Sequence, residues 1–340
     1  MRYSLGSFQT ELLETELNEL IRFLPDNSYW VIDKKLTELS TVFNSQVPEA
    51  FLVNATEENK NLNTAAEMFY WLQKSGANRG STIIAAGGGI TTDIAGWVSS
   101  NYMRGCHLIN IPTTIIGMID ASLGGKTGIN FNQAKNIIGS FYPAEKVILS
   151  YELLDTLSEK EIRSGMAELL KMALLPGDQI LQKLINLERN WLLEREFLIR
   201  SAGEKKLNIC RNDLHDQGER RILNLGHTFA HVIESASDFR IEHGRAVAIG
   251  LYKAAELSYQ LKLISSKRKS FICKLLKLHF PVSYLQIDEN TRTKIENTGE
   301  KFYQQDKKSR LVLYSGENEI VIINQVKWNK FKNILLEDIA

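Results

Sequence analysis

Cysteine is scarce in this chain. Cys106, Cys210 and Cys273 are the only three in 340 residues, an odd number and widely spaced. They make no CxxC pair, which excludes a zinc ribbon or a disulfide framework and fits a reducing compartment. Long apolar runs are missing too: none reaches the roughly 18 residues that a membrane span needs. Met1-Arg2-Tyr3-Ser4-Leu5-Gly6 is not a basic stretch leading into an apolar one, so no signal peptide is expected. Nor is there a surplus of either charge. Lys and Arg total 41 against 40 Asp and Glu, a net charge of +1. That excludes both a chain-wide polybasic surface and an acidic disordered chain. A cytoplasmic protein with no membrane or nucleic-acid partner is expected. No internal repeat or low-complexity tract interrupts the chain.

What is present is an ordinary globular mixture, 44% apolar and 24% charged. At about 150 residues per domain the length predicts two domains. The first part alternates strand and helix patterns. Tyr29 to Asp33, Ser81 to Ala86 and Leu108 to Pro112 read as buried strands, and Thr64 to Ala77 and Asp93 to Tyr102 as helices. Such alternation implies βαβ units and a parallel sheet. Near residue 155 the texture changes. Ser158 with Glu161 makes a capping box ahead of an apolar-periodic segment to Leu175, and helical periodicity dominates from there to about 305. A small hairpin is expected where 311–314 and 320–323 flank Ser315-Gly316-Glu317-Asn318. The expected organisation is an α/β domain over 1–155 and a mainly helical domain over 156–340.

Several segments carry chemistry. Gly87-Gly88-Gly89 stands between a strand and a helix, where backbone can approach a phosphate. Thr92 occupies the third glycine position of a dinucleotide fingerprint, so nucleotide binding and a merely tight turn both remain open. Gly124-Gly125-Lys126-Thr127 looks like the end of a phosphate loop, but Asp120 stands where its first glycine belongs. Lys126 is then either an anion-binding or a solvated loop lysine. His227 and His231 share a helix face, and His243 lies just beyond. They are either metal ligands or satisfied histidines. Glu168 and Lys171, three apart in an apolar stretch, must be paired or liganded if buried, and otherwise make a surface ion pair. The segment from Lys206 to His227 reads as a polar stretch with a loop that runs into the interior, as an active-site segment would.

Together these residues resemble a known family. Gly87-Gly88-Gly89 with Asp93-Ile94-Ala95-Gly96, Tyr102-Met103-Arg104-Gly105, Ile111-Pro112-Thr113-Thr114, the run from Asp120 to Asn130, Lys135-Asn136-Ile137-Ile138-Gly139, the run from Gly165 to Lys171, and the run from Leu223 to His231 are similar in order and spacing to 3-dehydroquinate synthases over about residues 30–325. The wider superfamily includes other sugar-phosphate cyclases and metal-dependent glycerol and glycerol-phosphate dehydrogenases.

The resemblance implies a Rossmann-like NAD-binding domain and a helical metal-binding domain, with NAD and substrate in a cleft between them. It implies a homodimer using NAD and one zinc or cobalt ion. The reaction would convert 3-deoxy-D-arabino-heptulosonate 7-phosphate to 3-dehydroquinate and phosphate, in the shikimate pathway. The steps would be oxidation by NAD, phosphate elimination, reduction and aldol closure. Glu168, His227 and His243 would hold the metal. Lys126, Lys171, Lys206, Asp216, Arg220, Asn224 and His231 would be catalytic, and Arg104, Asp120, Asn136 and Lys307 or Lys308 would contact substrate. Asp33, Glu57, Lys60, Gly88, Gly89, Ile90, Asp93, Thr113, Thr114, Lys135, Leu153 and Thr156 would bind NAD. This chain departs from the pattern in four places. Thr92 replaces a glycine, where a Cβ is expected to crowd the pyrophosphate. Asp216 stands for a glutamate, Ser164 for an asparagine, and the motif before the first long helix is reduced to Asn54-Ala55-Thr56-Glu57-Glu58. The alternatives are a related cyclase of secondary metabolism, a polyol or polyol-phosphate dehydrogenase, and a non-enzymatic binding homologue.

Overall fold

The run Thr82 to Gly87, apolar after its first residue, is buried at every position, the mark of a parallel strand covered on both faces. A computed structural model of the chain describes residues 1–39, 50–132, 134–177, 179–187, 191–305, 310–324 and 326–339. It divides into two compact units. One comprises Met1–Glu161 with Gly203–Asp216, the other Ile162–Ala202 with Gln217–Ala340.

The first unit is built on a seven-stranded sheet. In chain order its strands are β1 (Arg2–Leu5), β2 (Phe8–Glu14), β3 (Ser28–Asp33), β4 (Phe51–Val53), β5 (Thr82–Gly87), β6 (His107–Pro112) and, after a separate hairpin, β9 (Lys146–Leu149). The spatial order is β1-β2-β9-β6-β5-β3-β4. All neighbours are parallel except β1 and β2, which form an antiparallel pair at one edge. The separate hairpin joins β7 (Lys126–Phe131) to β8 (Ala134–Phe141). It packs on the Gly89–Asn101 helix at Gly96, where a side chain would come within 2.5 Å of Thr127. Ser158 and Glu161 form the expected capping box, with the Ser158 backbone N–H donating to Glu161 Oε2 at 2.9 Å.

The second unit is mainly helical, with one hairpin, β10 (Leu311–Ser315) and β11 (Glu319–Ile323). Three helices carry its chemistry: Glu159–Leu174, most of which lies in this unit, His227–Ala236 and His243–Gln260. They touch through backbone. A side chain at Gly244 would fall 2.3 Å from Ser164 Cα, and one at Gly250 would fall 2.2 Å from the Gly226 carbonyl oxygen. Gly226 itself has φ +79, a left-handed conformation that places His227 at the start of its helix. Within this unit the Phe229 and Phe331 rings stack 4.2 Å apart.

Candidate active site and metal centre

Glu168 lies on the inner face of the Glu159–Leu174 helix, fully buried. A carboxylate there is costly without partners. It has three. Lys171 Nζ is 2.5 Å from its Oε2, and His243 Nε2 and His227 Nε2 are 3.0 and 3.4 Å from its Oε1. The Glu168–Lys171 pair is therefore interior, with Lys171 only 1% exposed. Burial opposes the charge on Glu168. Lys171 and the two imidazoles outweigh it and hold the carboxyl well below the usual range. Burial and the Lys171 ammonium push His227 down, so this imidazole is neutral at pH 7. Burial also opposes a charge on His243, but Glu168 and Glu234 push it up to about 10.

One donor atom from each of Glu168, His227 and His243 lies within 4.8 Å of the other two. Zinc with arms of about 2.0–2.1 Å needs tetrahedral ligand separations of about 3.3–3.5 Å. The donor set, one carboxylate and two imidazoles, is one that zinc accepts with a position left open for substrate. These residues fit a divalent metal. His231 is exposed, with its ring 5.8 Å from that of His227. Arg220 is buried and Asn224 half-buried, both in the short 3-10 turn Glu219–Asn224.

The first unit gathers a second set of cations. Lys206 lies on the Arg195–Asn212 helix, ahead of the expected loop, and its Nζ donates to the Asp120 carbonyl at 2.5 Å and to the Asp120 carboxylate. Lys126 opens β7. The Gly124-Gly125 step before it has φ +75 and +70, which explains the glycines as a turn. Its Nζ donates to Asp216 Oδ2 at 2.5 Å. Lys60 is buried, and its Nζ donates to Asp93 at 2.5 Å and to Asn136 Oδ1 at 2.6 Å. Burial pushes the Asp93 carboxyl up against the pull of Lys60.

Asn136, at φ +52, receives a further tie: its backbone N–H donates to Asn130 Oδ1 at 2.9 Å, and Asn130 Nδ2 donates to Glu57 Oε1 at 2.7 Å. Glu57, Lys60, Asp93 and Asn136 thus form one network.

Gly88 caps the Gly89–Asn101 helix, with Ile90 in its first turn. Side chains at Gly88 and Gly89 would meet Thr114 and Ala121, each at 3.1 Å. Thr113 is buried behind this turn, and the Thr114 hydroxyl accepts the Gly117 N–H at 3.0 Å. Asp33 ends β3, its carboxyl pushed up by burial. Lys135 lies on β8. The Thr156 hydroxyl donates to the Leu153 carbonyl at 2.7 Å. Arg104 is exposed, with φ +65. Lys307 and Lys308 lie outside the described residues.

Comparison with known proteins follows the same line. Residues 50–164 match the family model for the N-terminal part of 3-dehydroquinate synthase, and residues 165–309 match that for its C-terminal part. The 3-dehydroquinate synthase of Alkaliphilus oremlandii is 36% identical over 291 residues, 84% of this chain and 77% of that one. The chain belongs to the 3-dehydroquinate synthase family. The family's enzyme from Thermococcus kodakarensis is 43% identical over 231 residues, 68% of this chain. The match spans 66% of that enzyme's length. Among solved structures, 2-epi-5-epi-valiolone synthase from Streptomyces hygroscopicus, with NAD+ and Zn2+ bound, superposes with a TM-score of 0.83 at 24% identity. That alignment covers 98% of this chain and 97% of the other, and shows a common fold.

Thr92 stands in the first turn of the Gly89–Asn101 helix. It is 2% exposed, and its hydroxyl donates back to the Gly88 and Gly89 carbonyls at 3.3 and 3.1 Å. Two residues are not evident from sequence. Asn130 ties Asn136 to Glu57, and only its place beside the β7 turn hints at it. Glu234 lies against His243, and the available signal is a carboxylate on the apolar face of a helix, seven residues after His227.

Proposed function

We propose that this chain is a 3-dehydroquinate synthase, converting 3-deoxy-D-arabino-heptulosonate 7-phosphate to 3-dehydroquinate and phosphate. The observation that carries the reading is the buried Glu168, His227 and His243 group with Lys171 against its carboxylate. A dehydrogenase on this fold also needs a hydride acceptor and a Lewis acid. A phosphorylated, carboxylated sugar needs several cations besides.

Glu168, His227 and His243 would hold the metal, and Gly88, Gly89, Asp93, Thr113 and Thr114 would line the NAD cradle. Bound NAD supplies reversible hydride transfer, and the divalent metal supplies Lewis acidity toward substrate hydroxyls. Lys171, Arg220 and Asn224 bind substrate in the helical unit. Lys126, Lys206, Arg104 and Asn136 bind its anionic groups in the α/β unit, with Asp120 orienting Lys206. Asp216 Oδ2, held by Lys126, and His231 are the groups that take up and return protons. Lys307 or Lys308 adds a further cation. Glu57, Lys60, Ile90, Asp33, Lys135, Leu153 and Thr156 complete the NAD side.

In class the enzyme is a carbon–oxygen lyase acting on a phosphate. By the same family reading it works in the cytoplasm as a homodimer. Among the described residues no helix is long and apolar enough to cross a membrane. The test is the pair of variants His227→Ala and His231→Ala, assayed for zinc content and phosphate release. His227→Ala loses both together, whereas His231→Ala keeps zinc and loses turnover. Zinc binding undiminished in His227→Ala would remove the proposed centre.

A further inference from the structure

Glu234 stands behind the donor group. It lies on the His227–Ala236 helix with its side chain 6% exposed, among the buried residues Ala230, Val232 and Ile233. Its Oε2 is 3.6 Å from His243 Nδ1, while Nε2 of the same ring faces Glu168 Oε1 at 3.0 Å. His227 is served differently. Its Nδ1 is 3.2 Å from the Leu225 carbonyl oxygen, and its Nε2 is 3.4 Å from Glu168 Oε1. A carbonyl only accepts, so the neutral His227 ring carries its proton on Nδ1. Both rings therefore turn Nε2 toward Glu168 and Nδ1 toward an acceptor, one a carbonyl and the other a carboxylate.

From this geometry we infer that Glu234 is a positioning residue, which accepts the Nδ1 proton of His243 and so presents the Nε2 lone pair to the metal. The inference rests on the metal centre proposed above. At 3.6 Å the contact is electrostatic rather than a hydrogen bond. Two consequences follow for metal capture. Nε2 is the nitrogen left free when the ring gives up its second proton to metal binding, and the ring is oriented by a side chain that is itself buried. Glu234 also adds negative charge where Lys171 and a divalent cation would leave positive charge in excess. Outer carboxylates of this kind make the imidazole a stronger donor. The backbone carbonyl behind His227 orients its ring without supplying that charge, so the two imidazoles are unequal ligands.

The experiment uses the full chain, stripped with a chelator and titrated with zinc against a chromophoric competitor, then with cobalt to record its visible bands. Glu234→Ala weakens zinc affinity about 10- to 100-fold, the usual cost of losing an outer-shell partner. Its cobalt bands shift as the His243 ring loses its fixed angle. Glu234→Gln keeps the shape and an acceptor oxygen but not the charge, and recovers the share of the affinity that ring orientation supplies. It also guards against misfolding as the cause of a loss in the alanine variant. Wild-type zinc affinity in Glu234→Ala overturns the inference, as does a loss that Glu234→Gln fails to restore. Failure of the wild-type chain to take up zinc overturns the metal centre itself, and the inference with it.

Discussion

Lys171 Nζ sits 2.5 Å from Glu168 Oε2, and neither side chain is more than 1% exposed. A pair this deep is retained at a cost in desolvation, which a well-packed apolar pair would avoid. In the proposed metal centre each member would also have a role. Glu168 would offer a ligand oxygen, and Lys171 holds its carboxyl low.

Lys171→Met should expose that dependence. Removing one member of a buried pair costs about 3–5 kcal/mol, because the other charge is left uncompensated. His243 still gives Glu168 a positive neighbour, so the lower end, about 3 kcal/mol, is expected in the metal-free chain. Zinc replaces the missing cation beside Glu168 and recovers part of the loss. Urea unfolding with and without zinc measures both. Unchanged stability of metal-free Lys171→Met would contradict this dependence.

His243 gives the metal-free protein a pH signature. Its folded value of about 10 lies above the ordinary 6.5. The stability it contributes is therefore complete below about pH 6.5 and lost as pH rises through about 10. Glu168 acts in the opposite sense: its carboxyl is held low, so its contribution is present above the ordinary carboxylate range and lost as pH falls. Zinc needs a neutral imidazole. Between about pH 7 and 9 zinc uptake should release about one proton, from His243, with affinity rising about tenfold per pH unit. Calorimetry in two buffers of different ionisation enthalpy counts that proton. A count near zero would mean that His243 is already neutral.

Asp216 Oδ2 accepts from Lys126 Nζ at 2.5 Å, and its backbone has φ +56. Asp216→Ala should lower turnover by about 10²-fold or more, the usual scale of general acid–base catalysis. Zinc content should not change. Lys126 is half exposed, so loss of the pair should cost at most about 1 kcal/mol of stability. Asp216→Glu should alter turnover severalfold. Near wild-type turnover in Asp216→Ala would make it a solvated loop acid.

Much of this is legible in the chain itself. The run from Ile83 to Ala86 is apolar throughout, and the Gly88 turn after it leads into a helix, so strand, turn and helix follow locally. The hairpin at 311–323 is equally plain, since two β-rich runs flank Ser315-Gly316-Glu317-Asn318. The β7–β8 hairpin is not. Its glycines suggest a ligand loop, and Lys126 to Phe131 owes its strand form to packing on Gly96. The β1–β2 pair is hidden for a related reason: in Arg2–Leu5 only Tyr3 and Leu5 face inward. Glu168, His227 and His243 can be named as candidates, but their convergence depends on glycine contacts between helices far apart in sequence. Glu234 is easily passed over because a single carboxylate on a helix usually marks a solvated position.

The central claim is that the chain turns a heptulosonate phosphate into a carbocycle while using NAD without consuming it. The direct measurement incubates the zinc-loaded protein with NAD and 3-deoxy-D-arabino-heptulosonate 7-phosphate. It follows phosphate release and absorbance at the NADH band, and identifies the product by mass and NMR. The predicted result is stoichiometric phosphate and 3-dehydroquinate with no net NADH. Net NADH without phosphate, or phosphate with a product other than 3-dehydroquinate, would contradict it.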